Sequence, residues 1–173
     1  NDSRSKWFGR TTHIRFDAYF VGESLLRSSW TYPLQNKSFD LDIHATMGSF
    51  HAKKLNTWLV PFERMEVTDG MLDSGKIDIA VRSGKGSTTV IPYYHDFSMN
   101  VLSPDVKKGR GLLEGFKTFW ANTFIMRGNN TEEPGRPAKA GITSLERTKD
   151  QDLMQYIWRS IRKSLGQVVG GFQ

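Results

Sequence analysis

Four histidines, His13, His44, His51 and His95, and two carboxylates spaced by two, Asp40 and Asp42, are the residues whose types could do chemistry. A zinc-type site needs three or four imidazole, thiolate or carboxylate ligands converging on one point, and short HxH or HxxxH spacings bring two together at once. None of the histidines has such a neighbour, and the chain holds no cysteine. No metal site is expected. Asp40 and Asp42 would share one face of an extended segment, as in a glycosidase pair, but the wet face of any half-buried strand has the same spacing. No serine stands in a GxSxG elbow. Ser83–Gly86 (SGKG) lacks both the spacing of a phosphate-binding loop and a following helix, and reads as a hairpin turn. With nucleophile, metal and phosphate signatures missing, the expectation is a chain without catalysis or cofactor.

The same residues are better placed as parts of strands. Ile14, Phe16, Ala18 and Phe20 alternate with His13, Arg15, Asp17 and Tyr19. Phe39, Leu41, Ile43, Ala45 and Met47 alternate with Asp40, Asp42, His44 and Thr46. Such alternation predicts one buried and one wet face. Leu25–Leu34 reads as another strand, ended by Pro33. Val67–Leu72 reads as a strand with Gly70 at a bulge, and Ile77, Ile79 and Val81 continue the pattern. In Ile91–Val101, the residues Ile91, Tyr93, His95, Phe97, Met99 and Val101 are expected on a single buried face, with His95 a hydrogen-bonded core histidine. Between strands, Leu55, Trp58, Leu59 and Phe62 fall at helical spacing, but Pro61 interrupts. Ala52–Met65 is therefore expected to be a short helix or an apolar loop that plugs one end of the sheet. Short connections make an antiparallel meander the natural topology.

The last seventy residues change character. Lys107–Met126 reads as a helix with Leu112, Leu113, Phe116, Phe119, Trp120 and Phe124 on one broad apolar stripe. That stripe is the candidate contact for lipid or a partner, with packing into a core as the alternative. Gly128 is a helix stop, and Asn129–Lys139, with two prolines, a loop. Ala140–Arg147 is a further strand. Asp150–Val169 is a second helix, with Met154, Ile157, Ile161, Leu165 and Val168 on one face and Asp150 and Asp152 at its dipole-favoured start. The predicted class is α+β, mainly β: an antiparallel sheet over residues 1–103, and helix–strand–helix over 104–173, in one domain.

Composition bounds the partners. The 173 residues suit one domain, and the net charge of +6 is concentrated late, with +1 over residues 1–103 and +5 over 104–173. The basic half suits an anionic lipid surface or an acidic partner. The near-neutral sheet half argues against nucleic acid, which would need a basic, aromatic sheet face. No apolar run reaches the ~18 residues of a membrane span. The chain begins with Asn1 rather than Met, which suggests processing or truncation.

Three blocks in order, Leu55–Ser74 (LNTWLVPFERMEVTDGMLDS), Tyr93–Phe97 (YYHDF) and Thr118–Asn130 (TFWANTFIMRGNN) followed by Ile142–Arg147 (ITSLER), resemble the C-terminal end of bacterial AsmA-like proteins, a group that includes TamB-type proteins. The resemblance covers roughly Leu55 to Gly166. It includes the segment Leu55, Asn56, Thr57, Trp58, Leu59, Val60, Pro61, which matches a Leu-Asn-x-aromatic-Leu-x-Pro pattern. It implies a curled, trough-like antiparallel sheet with an apolar interior, closed at its end by two amphipathic helices. The implied role is non-enzymatic: lipid transport or outer-membrane assembly in the periplasm. The implied partners are membrane lipid or an envelope protein complex, with membrane anchoring through a segment outside this chain. The competing expectation is a structural or interaction subunit of a membrane-associated envelope complex.

Overall fold

Strand alternation in the first hundred residues builds a single antiparallel sheet in the computed structural model, which describes residues 11–34, 38–101, 128–148 and 150–169. The strands are β1 (Thr11–Phe20), β2 (Ser24–Pro33), β3 (Leu41–Met47), β4 (Phe50–His51), β5 (Met65–Arg82), β6 (Lys85–Val101) and β7 (Gly141–Glu146). They run in the order β1-β2-β3-β5-β6-β7, with β4 paired to β5 beyond the end of β3. Among the described residues β1 and β7 are the edges, and the sheet is not closed. β5 and β6 are the long central pair, joined by the two-residue turn Ser83–Gly84. The SGKG stretch is thus a hairpin turn, and the two predicted segments Val67–Leu72 and Ile77–Val81 belong to one strand.

A 3-10 turn (Ala52–Leu55), a one-turn helix α1 (Asn56–Trp58) and a π turn (Leu59–Glu63) connect β4 to β5. The helix α2 (Leu153–Val169) lies across β6 and β7. Its start is a reciprocal cap. The Gln155 N–H donates to Asp152 Oδ1 at 2.8 Å, and the Gln155 amide oxygen accepts from the Asp152 N–H at 3.4 Å.

The seam between α2 and the sheet is made of small residues. Ser160 and Ser164 are fully buried. A Cβ at Gly86 would overlap the Tyr156 hydroxyl, and one at Gly141 would overlap the Ser164 carbonyl. The buried face of α2 is therefore Tyr156, Ile157, Ser160, Ser164 and Val168, rotated from the predicted stripe. Met154, expected inside, is exposed. The two serines and two glycines let the helix axis approach, and that rotation brings Tyr156 rather than Met154 down onto the core of Leu41, Ile43, Ile79 and Val81.

Coverage of the sheet is uneven. One row of cross-strand neighbours runs Ile14, Trp30, Ile43, Ile79, Thr88, Thr143. From Ile43 onward it is buried, under or beside α2, but Ile14 is 41% exposed. Phe16, one row along, is 39% exposed. The predicted apolar face of β1 exists, but among the described residues nothing covers it at Ile14 and Phe16. The predicted helix Lys107–Met126, with its stripe, lies outside the described residues.

The Ile91–Val101 expectation is corrected in its first half. Pro92 and Tyr94 are the buried residues, while Tyr93 points to the other face, where its hydroxyl donates to Glu132 and Lys76 lies over its ring. Asp96, in left-handed conformation (φ 52°), is one residue out of phase with β5. That extra residue returns Phe97 and Met99 to the face that Tyr94 occupies. His95 consequently sits on the wet face, not in the core, and pairs with Asp73 Oδ2 at 3.0 Å. Opposite the bulge, Gly70 (φ 127°) is the close approach: a Cβ there would come within 2.8 Å of the Phe97 Cα. The predicted Gly70 irregularity is present.

Candidate functional site

A short polar side chain standing in for a missing strand partner is the local device that builds the site, and it is used twice. Asn56 is held in the helical connection by sequence, and its amide copies a peptide group. Its Nδ2 donates to the Val67 carbonyl at 2.9 Å, and its Oδ1 accepts the Val67 N–H at 2.7 Å. This ties the connection to the start of β5. Trp58 and Phe50 close on Phe20 with ring centroids 5.1 and 5.5 Å away, so the connection spans from β1 to β5. Ala52–Met65 plugs one end of the sheet as expected, by helical turns of three kinds, with Arg64 (φ 51°) reversing the chain into β5.

The second use is Gly128–Asn130, the end of the Thr118–Asn130 block. The Gly128 carbonyl accepts the Phe97 N–H at 2.7 Å, and Asn129 Oδ1 accepts the Asp96 N–H, also at 2.7 Å. Asn130 is 2% exposed. Its Nδ2 donates to the Pro92 and Lys139 carbonyls at 2.6 and 3.0 Å, and its Oδ1 accepts the Lys139 N–H at 2.8 Å. These three residues satisfy the backbone that the Asp96 bulge frees, and so fix the stretch of β6 that faces the connection.

Between the connection, β6 and α2 lies an apolar cleft of about 170 Å³. Leu55 and Leu59 form one wall, Tyr94, Phe97 and Met99 the floor, and Trp158, Leu165 and Val169 the other wall. Drug-sized ligands occupy roughly 300–1,000 Å³, so this space suits one narrow apolar segment. Trp158, on its wall, is 49% exposed. Trp58, Val60 and Phe62, in the same segment as the wall residue Leu59, face solvent, Phe62 at 78% exposure.

One ion pair interrupts the apolar lining. Arg162 of α2 donates to Glu63 Oε2 at 2.8 Å, joining residues 99 positions apart. Glu63 is only 9% exposed. Burial pushes its carboxyl above the ordinary range, and the charge and hydrogen bond of Arg162 oppose that rise. This pair pins the π turn to α2 and places one polar feature in an otherwise dry wall.

The predicted contact residues Leu112, Leu113, Phe116, Phe119, Trp120 and Phe124 lie outside the described residues. The ends of that stretch are described: β6 ends at Val101, which pairs with Met65, and Gly128 bonds back to Phe97 of β6. The cleft itself was not foreseen. Its one sequence signal is Glu63 in an apolar run, LVPFE.

Apart from His51, which is exposed, the polar candidates have structural partners. Asp42 takes both oxygens to the Arg82 guanidinium at 2.8 and 2.9 Å, and Asp40 accepts the Ser83 N–H at 2.7 Å. Together they brace the β5–β6 turn. His44 pairs with Asp78 at 2.5 Å, and His13 with Thr31 at 3.0 Å. Among the described residues, no three His, Cys, Asp or Glu side chains converge to hold a metal. No described helix is long and apolar enough to cross a membrane. The chain matches no family model, and no curated protein and no solved structure matches it either.

Proposed function

We propose that this chain is a non-enzymatic lipid-handling domain of the AsmA-like kind, periplasmic and membrane-associated. In this reading it acts in lipid transport or outer-membrane assembly and presents the apolar cleft to a phospholipid acyl chain. The trough of that reading is the apolar sheet face from Ile14 and Phe16 to the cleft floor. The observation that carries it is the cleft, apolar on its walls, with one lining residue, Trp158, 49% exposed. An apolar space whose lining reaches solvent favours an acyl chain as occupant, because such side chains are costly to leave bare in water. Two of the three blocks behind the AsmA-like resemblance brace the strands next to this cleft, Leu55–Ser74 through Asn56 and Thr118–Asn130 through Asn130.

Native mass spectrometry of the whole chain, after incubation with phosphatidylethanolamine–phosphatidylglycerol vesicles, tests the proposal. Bound phospholipid is expected for the wild type and its loss for Leu165→Trp, which fills the cleft from α2. A wild-type chain that carries no lipid at any vesicle concentration sinks the reading. The second reading, a structural or interaction subunit of an envelope complex, is favoured by α2, which packs tightly over the β6–β7 half of the sheet. It predicts no lipid and no effect of Leu165→Trp.

A further inference from the structure

The two edges of the sheet are treated differently. At β7, α2 covers the edge: Gln167 Oε1 accepts the Ile142 N–H at 2.9 Å, and Gln167 Nε2 reaches Thr143 Oγ1 at 3.4 Å. At β1, ten residues long, no described strand or side chain takes up the outward backbone. Phe20 accepts the Glu23 N–H across the first hairpin, so Phe20 and every second residue before it turn their peptide groups toward β2. His13, Arg15, Asp17 and Tyr19 therefore direct their N–H and C=O groups out of the sheet. β1 lacks most of the devices that blunt an edge. It has no proline, its register with β2 is unbroken, and its apolar face of Ile14, Phe16, Ala18 and Phe20 carries no charge; its charges, Arg15 and Asp17, are of opposite sign and lie on the other face.

We propose that the outward edge of β1, unpaired among the described residues, pairs antiparallel with β1 of a second copy of this chain, about a two-fold axis through Phe16. The sequence of the strand selects that register. With the axis at Phe16, Arg15 stands opposite Asp17 of the other copy, twice over, and His13 stands opposite Tyr19. These outward residues exchange backbone hydrogen bonds. Phe16 meets its own copy and Ile14 meets Ala18 at the close, non-hydrogen-bonded positions of the uncovered apolar face. Moving the axis to Arg15 sets arginine against arginine, and moving it to Asp17 sets aspartate against aspartate. Asp17 already lies 3.6 Å from Arg27 of β2, so the chosen register continues an alternating row, Arg27, Asp17, then the second copy's arginine. The same pairing extends the Phe16–Trp30 contact, at 6.1 Å between ring centroids, into one apolar surface shared by both copies. This inference does not depend on the lipid reading.

Sedimentation velocity on the whole chain tests it. The wild type is expected to dimerise with concentration. Arg15→Glu and Asp17→Arg, both exposed substitutions, are each expected to weaken association roughly tenfold or more, by replacing attractive cross-strand pairs with repulsive ones. A one-to-one mixture of the two variants should recover dimer, because glutamate 15 then faces arginine 17 and Asp17 faces Arg15. Circular dichroism matching the wild type keeps loss of folding out of the comparison. Amide exchange should slow at His13, Arg15, Asp17 and Tyr19 in the dimer. A wild type that stays monomeric to ~100 μM, a dimer indifferent to Arg15→Glu, or a dimer with unprotected β1 amides would each overturn the proposal.

Discussion

Arg162→Met removes one partner of the pair in the cleft wall while keeping most of the stem that packs there. Glu63 is 9% exposed and its carboxylate accepts from Arg162 at 2.8 Å, so the variant leaves a shielded charge without its guanidinium. Stranding such a group costs about 1–3 kcal/mol. Arg162 is itself 42% exposed, so water reaches part of the site and the lower half of that range, about 1–2 kcal/mol, is expected. For a chain of this size that corresponds to a fall in Tm of roughly 2–8 °C. The pH dependence carries the sharper test. Burial raises the Glu63 pKa above 4.5, and Arg162 opposes the rise. Losing Arg162 raises it further. A carboxyl with a raised folded-state pKa holds its proton more tightly folded than unfolded. Its favourable contribution is then full below the unfolded value near 4.5 and is lost as pH rises through the folded value. The variant's deficit should therefore be largest at neutral pH and shrink toward pH ~4.5. Glu63→Gln placed in the variant should return part of the lost stability at neutral pH. Thermal denaturation across pH measures both effects. A deficit equal at acid and neutral pH, with no return from Glu63→Gln, refutes the reasoning.

Asn130→Leu should lower stability by about 2–4 kcal/mol, because it strands the Pro92 and Lys139 backbone groups in a buried site; urea denaturation measures it. Gly141→Val should prevent α2 from seating against β7 and cost about 3 kcal/mol or more, read by loss of near-ultraviolet dichroism, since any Cβ there meets the Ser164 carbonyl. His95 should titrate above 6.5 by NMR, because its hydrogen bond to Asp73 favours the protonated ring and the nearby Asp96 charge adds to that effect. Its stabilising share is present at acid pH and is lost as pH rises through the raised value, and Asp73→Asn should bring the titration back down. In the stretch outside the described residues, Phe119→Asp or Trp120→Asp should abolish vesicle or partner binding, or folding, while Lys117→Gln should be mild. A Phe119→Asp chain that stays folded and fully bound would show that the stripe carries neither role.

Much of the sheet was legible because strand alternation is a local signal. Leu41 and Ile43, and Ile79 and Val81, point where their spacing says they should, and Pro33 ends β2. What was not legible required contacts distant in sequence. The phase of β6 changes at Asp96, and nothing near Asp96 announces it, because the bulge is stabilised by Asn129 from another part of the chain. His95 was misplaced for that reason alone. The rotation of α2 likewise depends on Gly86 and Gly141, which carry no periodic signal, though glycines inside strand-like segments are a hint of close approach. The Glu63–Arg162 pair joins an apolar turn to a helix nearly a hundred residues later, so neither residue's neighbourhood identifies the other. The brace formed by Asp40 and Asp42 shows the reverse case: a spacing suggestive of catalysis that the β5–β6 turn fully employs.

The bulge at Asp96 makes β6 behave like a message with a frameshift in it. Before Asp96 the even-numbered residues Val90, Pro92 and Tyr94 read onto the apolar face; after it the odd-numbered Phe97 and Met99 do. Straightening the strand through Asp96 would therefore not be a local event. With regular alternation across that residue every later side chain would invert, sending Phe97 and Met99 into water and Ser98 and Asn100 into the floor of the cleft. Deleting Asp96 removes the extra residue and the inversion together, setting Gly70 opposite Phe97 and leaving Phe97 and Met99 on the face of Tyr94. Across variants of this chain, then, a β6 one residue shorter at this point should keep its inward side chains, whereas one residue more should turn them outward.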